Sequence, residues 1–248
     1  MKAMILAAGL GTRLRPLTDE RPKALVEIDG RTLLEITLTR LSKFGVREVI
    51  INVHHFAELI VEYLKAHKNF GMKIEISRED VLLDTGGGLK KAAWFFLRES
   101  GAMDEPFLLH NVDVISTIDL ARMVQIHKEN KALATLAVMQ RKSSRQLLFD
   151  ATQELCGRIK GSGQPDEIVR QAPTLQPLAF AGVHVISPRL LGMIERDGIF
   201  SIIDAYLDVA ARGGNIQAFR ADEFYWRDLG RFEDLSNAAK DLSEDPIQ

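Results

Sequence analysis

A short apolar run that meets glycine at once has one regular structure open to it, a strand. Lys2-Ala-Met-Ile-Leu-Ala7 is such a run, and Gly9 and Gly11 arrive too soon for a helix to form first. The chain must therefore begin with a buried strand that ends in a glycine loop. There the backbone can turn tightly, and a ligand can approach with no Cβ in its way. The loop then supplies Thr12, Arg13, Arg15 and Lys23. Bare backbone N–H groups beside several cations suit a polyphosphate.

The rest of the chain continues the alternation that this start implies. Residues 31–44 carry Leu34, Leu38 and Leu41 at helical spacing, and Gly45 ends the helix. A strand over 46–53, a helix over 56–67 with Leu59, Ile60, Tyr63 and Leu64 inward, and a strand over 73–77 follow. A helix over 85–98 with Trp94, Phe95 and Leu97, a buried strand over 107–112, a helix over 118–130 and a strand over 133–139 complete the rhythm. Short apolar runs separated by amphipathic segments predict a mostly parallel sheet covered on both faces. Beyond Met139 the pattern changes. Residues 147–150 and 158–160 read as a hairpin, 161–177 as a polar loop and 178–186 as a strand. A helix over 201–212, short strands over 216–219 and 224–226, and a closing helix over 232–242 finish the chain. With 248 residues, 46% of them hydrophobic, the chain has ample material for a core. It reads as one domain over 1–248.

Several function classes fall away. A P-loop needs Gly-Lys-Ser/Thr after four residues, and nothing here fits. A dinucleotide fingerprint needs a third glycine where Leu14 stands, and an acid at the end of the second strand, where His54-His55 follow. The 32 basic and 34 acidic residues leave a net charge of −2, which gives no electrostatic case for nucleic acid or an anionic membrane. One cysteine, Cys156, excludes an internal disulfide and a multi-cysteine metal site, and reads as a buried structural thiol. No stretch reads as a signal or a membrane span, so the expected location is cytoplasmic.

The combination Leu6-Ala-Ala-Gly-Leu-Gly-Thr-Arg-Leu-Arg-Pro-Leu-Thr18 with Pro22-Lys23 resembles the nucleotide-binding loop of the sugar-nucleotide pyrophosphorylases. These nucleotidyltransferases join a nucleoside triphosphate to a sugar 1-phosphate. The resemblance is strongest to their compact bacterial members, the uridylyl- and guanylyltransferases. It implies an α/β, three-layer Rossmann-like fold with a mixed, mostly parallel central sheet. It also implies a nucleotide-binding half over about 1–140, a sugar-binding half over about 141–248, and Mg²⁺ as cofactor. Partners would be the triphosphate and the sugar 1-phosphate, and a homo-oligomer is left open.

The resemblance carries roles residue by residue. Arg13 would contact the leaving pyrophosphate and Lys23 the α-phosphate region, with Ala7, Ala8, Gly9, Gly11 and Thr12 as the surrounding loop. Arg15 would help hold that loop. Asp113 follows a buried strand, in Val112-Asp113 where relatives have Gly-Asp. An acid at the carboxyl end of a parallel strand lies where open sheets place ligand sites. Asp228, in Trp226-Arg-Asp-Leu-Gly230, matches the late W-x-D-x-G patch; it reads either as Asp113's partner on a shared Mg²⁺ or as a turn residue. Asp84-Thr85-Gly86-Gly87-Gly88 reads as a helix start capped by Thr85, and in the relatives the equivalent loop meets the base. Uridine or guanosine is expected, with a lean to uridine, and Asp84 or Glu79 could accept from a guanine edge. Asn111 could reach ribose or sugar. Gly182 either lines the sugar pocket or is a close-packing strand glycine. The Glu-Lys-Pro that many relatives carry before this strand is absent. This leaves Lys142, Arg145, Arg158 or Lys160 for the sugar phosphate.

Two rivals remain. A non-catalytic sugar-nucleotide sensor on the same fold would need no acid pair to hold a metal. A glycosyltransferase would want D-x-D, which Asn111-Val-Asp113 matches in spacing only. The two loop cations can be separated by kinetics. Lys23→Ala should act mainly on turnover, by on the order of 10²–10³, as for a donor used chiefly in the transition state. Arg13→Ala should weaken triphosphate binding as well, and Arg13→Lys should rescue it only in part because the fork is lost. Steady-state kinetics with the triphosphate varied, beside calorimetry with a non-hydrolysable analogue, test this. Two wild-type-like alanine variants would reduce the loop to a solvated basic stretch.

Overall fold

The structure, a computed structural model, describes residues 1–98, 105–161 and 163–244. In chain order the first half contains β1 (Lys2–Leu6), a small hairpin of β2 (Glu27–Ile28) and β3 (Arg31–Thr32), α1 (Leu33–Lys43), β4 (Glu48–Val53), α2 (Ala57–Ala66), β5 (Lys73–Arg78) and α3 (Asp84–Leu97). Next come β6 (Phe107–Asn111), β7 (Val114–Ser116), α4 (Leu120–Glu129) and β8 (Ala134–Met139). The second half adds β9 (Gln146–Phe149), β10 (Leu155–Ile159), β11 (Glu167–Ile168), β12 (Gln176–Ile186), α5 (Ile202–Ala211), β13 (Ile216–Arg220), β14 (Trp226–Asp228) and α6 (Phe232–Glu244).

One ten-stranded mixed sheet organises the molecule. Its path runs β11-β10-β9-β12-β6-β1-β4-β5, with β8 on β12 and β13 on β8. The strands β6, β1, β4 and β5 are parallel, with Ile5 opposite both Ile51 and His110. The inner strands β1 and β4 are the most apolar because both their faces are covered, whereas β5, at the edge, alternates with Lys73 and Arg78 exposed. Alternation along each strand divides the core. Ile5 points to the layer of Leu34 and Leu38 from α1, Ile60 from α2 and Met123 from α4, whereas Met4 points to Leu89 and Phe95 from α3 and Tyr206 from α5. The result is the expected three-layer arrangement. The antiparallel part lies in the second half, where β12 pairs with β6, β8 and β9 and β10 pairs with β9 and β11.

Three local expectations change. The segment 161–177 is not a plain loop: it contains β11 and the start of β12. Gly157 makes the β10–β11 pairing possible, since a Cβ there would lie 2.2 Å from the Glu167 carbonyl. The late strand falls on 226–228 rather than 224–226, because Trp226, Arg227 and Asp228 pair with Ser116, Ile115 and Val114 of β7. Leu59, Trp94 and Leu97 face outward, and α3 instead buries Leu89, Ala92, Phe95 and Phe96. Cys156 is buried, and burial raises its thiol pKa, in keeping with a structural role. Among the described residues no helix is long and apolar enough to cross a membrane.

His110, His127 and His184 are all sealed into the sheet and its cover, and the last two illustrate the consequence for acid stability. His184 sits on β12 against the Tyr206 hydroxyl at 2.8 Å, and burial, then His110, lowers its pKa to about 3. His127 bonds Thr135 at 3.0 Å, and burial, then Arg189 and Lys128, lowers its pKa to about 4. Both are neutral when folded and near 6.5 when unfolded, so below pH 6.5 the unfolded chain binds more protons. Stability should therefore fall as the pH drops, by about 2 kcal/mol for each histidine between pH 7 and pH 5. Urea denaturation at the two pH values, with His184→Gln as the comparison, measures it. An unchanged midpoint would contradict the buried, neutral state.

Candidate active site

The site lies at the carboxyl ends of the parallel strands, and buried polar contacts set its floor. Asn52 at the end of β4 accepts a hydrogen bond from the Ala7 N–H at 2.8 Å and donates to Glu79 Oε1 at 2.7 Å. The other carboxylate oxygen of Glu79 accepts from the Leu83 N–H at 2.9 Å. One amide and one carboxylate thus tie the end of β1, the end of β4 and the entry to α3 together. Glu79 is buried, takes a hydrogen bond on each oxygen and does not line the first hollow, so it serves as a brace rather than as the acceptor for a base that the sequence offered.

The glycine loop then folds back on itself. Gly11 has φ +65°, and a Cβ on it would lie 2.9 Å from Thr18 Cγ2 and 3.1 Å from Lys23 Cβ. The Thr18 hydroxyl donates to the Gly11 carbonyl at 2.9 Å. This close return buries Lys23, whose ammonium pairs directly with the Asp113 carboxylate. Arg15 is drawn to Asp19 at 3.2 Å on the exposed side of the loop, as a loop-holding residue would be.

Asp113 stands in the turn between β6 and β7. The β7–β14 ladder sets Asp228 opposite Val114, and the Leu229 N–H donates to the Asp113 carbonyl at 2.8 Å. Residues far apart in the chain therefore stand side by side, and Asp228 is a strand residue of the site rather than a turn residue. Burial raises the Asp228 pKa, and the neighbouring Asp113 adds to the rise; Lys23, the Gly230 N–H and Arg13 oppose it. The Gly230 N–H donates to Asp228 Oδ1 at 2.7 Å. A Cβ on Gly230 would meet Arg13 Nη2 at 2.6 Å and Asp228 Oδ1 at 2.7 Å, so the arginine fork lies across this glycine beside the acid. Arg13, Lys23, Asp113 and Asp228 converge.

Three hollows meet around them. The first, about 380 Å³, is bounded by the residues Leu6 to Gly9, Lys23, Leu82, Asp84, Asn111 and Ile199. The second, about 730 Å³, is bounded by Asn111, Arg141, Arg158, Gly182, Trp226 and Asp228. The third is an open basin at Arg13, Arg141, Lys142, Arg145, Asp228 and Arg231. Ala7, Ala8, Gly9, Asp84 and Thr85 all face the first hollow, and Asn111 borders the first and second. Gly11, Thr12, Gly86 and Gly87 do not line it. The N–H groups of Gly86 and Gly87 are not free for a base, because both point to the Phe200 carbonyl, at 2.9 and 3.3 Å. Their missing side chains serve packing: a Cβ on Gly86 would strike the Phe200 ring at 2.4 Å, and one on Gly87 the Gly198 carbonyl at 2.3 Å. Thr85 caps α5 rather than α3, its hydroxyl accepting from the Ile202 N–H at 2.9 Å. Gly182, at φ +75°, both lines the second hollow and packs closely, with Val114 Cγ2 at 2.8 Å from an added Cβ. Arg158 and Lys160 are bound to carboxylates, Arg158 to Asp204 and Glu167 and Lys160 to Glu167. Sequence reading passed over Arg141, a cation in a polar stretch with no motif around it, and over Leu82 and Ile199, whose role depends on the return of the 198–200 segment.

Comparison with known proteins bears on this geometry. A family model described as Nucleotidyl transferase matches residues 2–148. The chain belongs to that family. The N-acetylmuramate alpha-1-phosphate uridylyltransferase of Caulobacter vibrioides is 36% identical over 218 residues, covering 85% of each chain. The mannose-1-phosphate guanyltransferase of Yarrowia lipolytica is 29% identical over 242 residues; this chain spans 62% of its length. Among solved structures, a putative glucose-1-phosphate thymidylyltransferase from Bacillus anthracis superposes with a TM-score of 0.79 at 18% identity, covering 99% of this chain and 96% of that one. HddC from Yersinia pseudotuberculosis superposes at 0.74 with 22% identity, covering 97% and 99%. These two show the fold. The family expected from residues 6–25 is the family found.

Gly230 offers a direct test of the convergence. Gly230→Ala should displace Arg13 or Asp228 by about an ångström and reduce nucleotidyl transfer by roughly 10²-fold, the cost of misplacing reacting groups. The thermal midpoint should stay close to that of the parent, because the groups an added Cβ would strike are the side chains of Arg13 and Asp228 rather than the hydrophobic core. Full activity would mean that the arginine does not work across this glycine.

Proposed function

We propose that this nucleotidyltransferase moves a nucleoside monophosphate from a nucleoside triphosphate to a sugar 1-phosphate, giving a nucleoside-diphosphate sugar and pyrophosphate. A phosphate oxygen of the sugar 1-phosphate attacks the α-phosphorus in line. One P–O bond forms, the bond to the β-phosphate oxygen breaks, and pyrophosphate carries the electron pair away. The nucleophile is already anionic, so no strong general base is required. The observation that carries the reading is the meeting of Lys23, Asp113, Asp228 and Arg13 where a nucleotide-sized hollow and a second, cation-lined hollow share Asn111.

In this reading the first hollow holds the nucleotide. The strand end from Ala7 to Gly9 approaches it closely, Leu82 and Ile199 give the base apolar cover, and Asp84 and Thr85 stand at its rim. Lys23 lies at the α-phosphate and Arg13 over the departing phosphates, where phosphoryl transfer places most charge on nonbridging oxygens. The second hollow holds the sugar, beside Asn111 and Gly182. The halves 1–140 and 141–248 act as one unit. The base is uridine or guanosine, with uridine favoured by the likeness to the uridylyltransferase.

Asp113 and Asp228 suit a shared Mg²⁺. Two adjacent carboxylates, one with its pKa raised by burial and by the other, are a donor set that a hard divalent cation relieves. Bound there, Mg²⁺ would neutralise charge on the triphosphate oxygens. The residues' own part is to hold two acids and two cations at one seam, so that charge is balanced before substrate arrives.

Four nucleoside triphosphates set against several sugar 1-phosphates, read by pyrophosphate release, test the reaction. At least one pair should turn over, and pyrophosphate with the matching sugar nucleotide should return the triphosphate. Asp113→Asn and Asp228→Asn should each lower turnover by on the order of 10²-fold or more while the fold survives, and excess chelator should stop the parent. Full activity in chelator would remove the metal from the scheme. Tight binding of a sugar nucleotide without turnover in either direction would make the protein a sensor.

A further inference from the structure

Most arginines of this protein are matched to acids. Arg78 pairs with Glu58, Arg122 with Glu223, Arg196 with Asp208 and Arg212 with Glu195. Arg141 differs. Its guanidinium lies over the Trp226 ring, 4.2 Å from the centroid, and Nη2 donates to the Phe180 carbonyl at 2.9 Å. The ring is fixed in turn, since Trp226 Nε1 donates to the Ala181 carbonyl at 2.8 Å. No carboxylate among the described residues pairs with Arg141, and its Nε is buried with no partner. Burial lowers its pKa, and the charge of Asp228 works against that loss.

Such a group needs a reason. A half-buried cation gives up hydration, and an unpaired donor adds to the cost. Holding it still on an aromatic face costs further freedom but fixes the guanidinium in one place. Arg141 lines the second hollow and the open basin together, and it does not line the first hollow. The other cations of the second hollow are committed or loose: Arg158 and Lys160 are bound to acids, and Arg145 is exposed. We propose that Arg141, clamped by Trp226, is the residue that grips the phosphate of the sugar 1-phosphate, through its terminal Nη–H groups. This rests on the proposed reaction and adds to it the group that delivers the nucleophile. Arg141 and Asp228 line the same hollow, and in-line attack requires that a phosphate held there approach the α-phosphorus opposite the departing pyrophosphate.

The test measures binding and turnover separately. Parent protein, Arg141→Ala, Arg141→Lys and Trp226→Leu are titrated calorimetrically with N-acetylmuramate 1-phosphate, mannose 1-phosphate and glucose 1-phosphate. Each titration is done with and without a saturating non-hydrolysable triphosphate analogue. The best of the three ligands should bind the parent, and Arg141→Ala should weaken it at least tenfold while triphosphate affinity stays within twofold. Arg141→Lys should recover part of the binding, and Trp226→Leu should fall between parent and Arg141→Ala. In kinetics the loss should appear in KM for the sugar 1-phosphate and in kcat, with KM for the triphosphate unchanged. If Arg141→Ala binds the sugar 1-phosphate like the parent, or loses triphosphate instead, the assignment to Arg141 is overturned and the reaction stands. If the parent binds and turns over none of the sugar 1-phosphates, the assignment and the reaction fall together.

Discussion

Two carboxylates side by side in a half-buried cleft cannot both stay ionised without positive charge close by. The site depends on how this protein meets that constraint at Asp113 and Asp228. Lys23 pairs with the first acid, and Arg13 lies across Gly230 beside the second. Each cation comes from the loop after β1, and each acid from an end of the β7–β14 ladder. A loop that packs poorly would leave the acids uncompensated, and a ladder out of register would leave the cations without partners. Charge balance therefore couples the first turn of the chain to its last strand.

The scaffold around that cluster is built from buried polar contacts rather than from loop rigidity. Asn52 and Glu79 hold three strand ends in one place, with every polar atom of the pair that faces the loops engaged. Gly86 and Gly87 at the start of α3 admit the 198–200 segment, Gly88 makes room for Asn52 and Glu79, and the carbonyl of Phe200 takes up helix N–H groups that would otherwise need solvent. A segment of the second half is thereby stitched to the nucleotide side. The α6 helix does similar work from its side: Arg227 pairs with Asp241, which also receives the Tyr225 hydroxyl at 2.6 Å, so β14 is braced against α6.

The cleft also shows how one strand serves two purposes. Trp226 and Asp228 alternate with Arg227 along β14, which places ring and acid on the cleft side and the third residue toward the helix. Gly182 bends β12 opposite them, with the register slipping between Phe180 and His184. The bend opens the second hollow and brings the carbonyls of Phe180 and Ala181 to Arg141 and Trp226. A regular strand would have closed it.

Much of this was legible in residues 1–25 alone. A strand of apolar residues, two glycines and a following set of cations limit the local fold and the ligand class, because periodicity and backbone freedom act over a few residues. The parallel core, the family and the four charged residues followed from patterns of that range. What sequence could not supply depends on contacts between distant segments. The glycines of Gly86-Gly87-Gly88 look like a ligand loop until Phe200, Gly198 and the Asn52–Glu79 pair are seen against them. Glu79 looks like a free acceptor until Asn52 and Leu83 take both oxygens. Arg141 carries no motif, and its character comes from Trp226 and Phe180, which reach it only when β8, β12 and β14 assemble. Sequence by itself determined the chemistry available, since charge and backbone freedom belong to each residue. Only tertiary structure decided which of those groups stay free for a ligand, because each pairing that satisfies a buried polar atom removes it from the site.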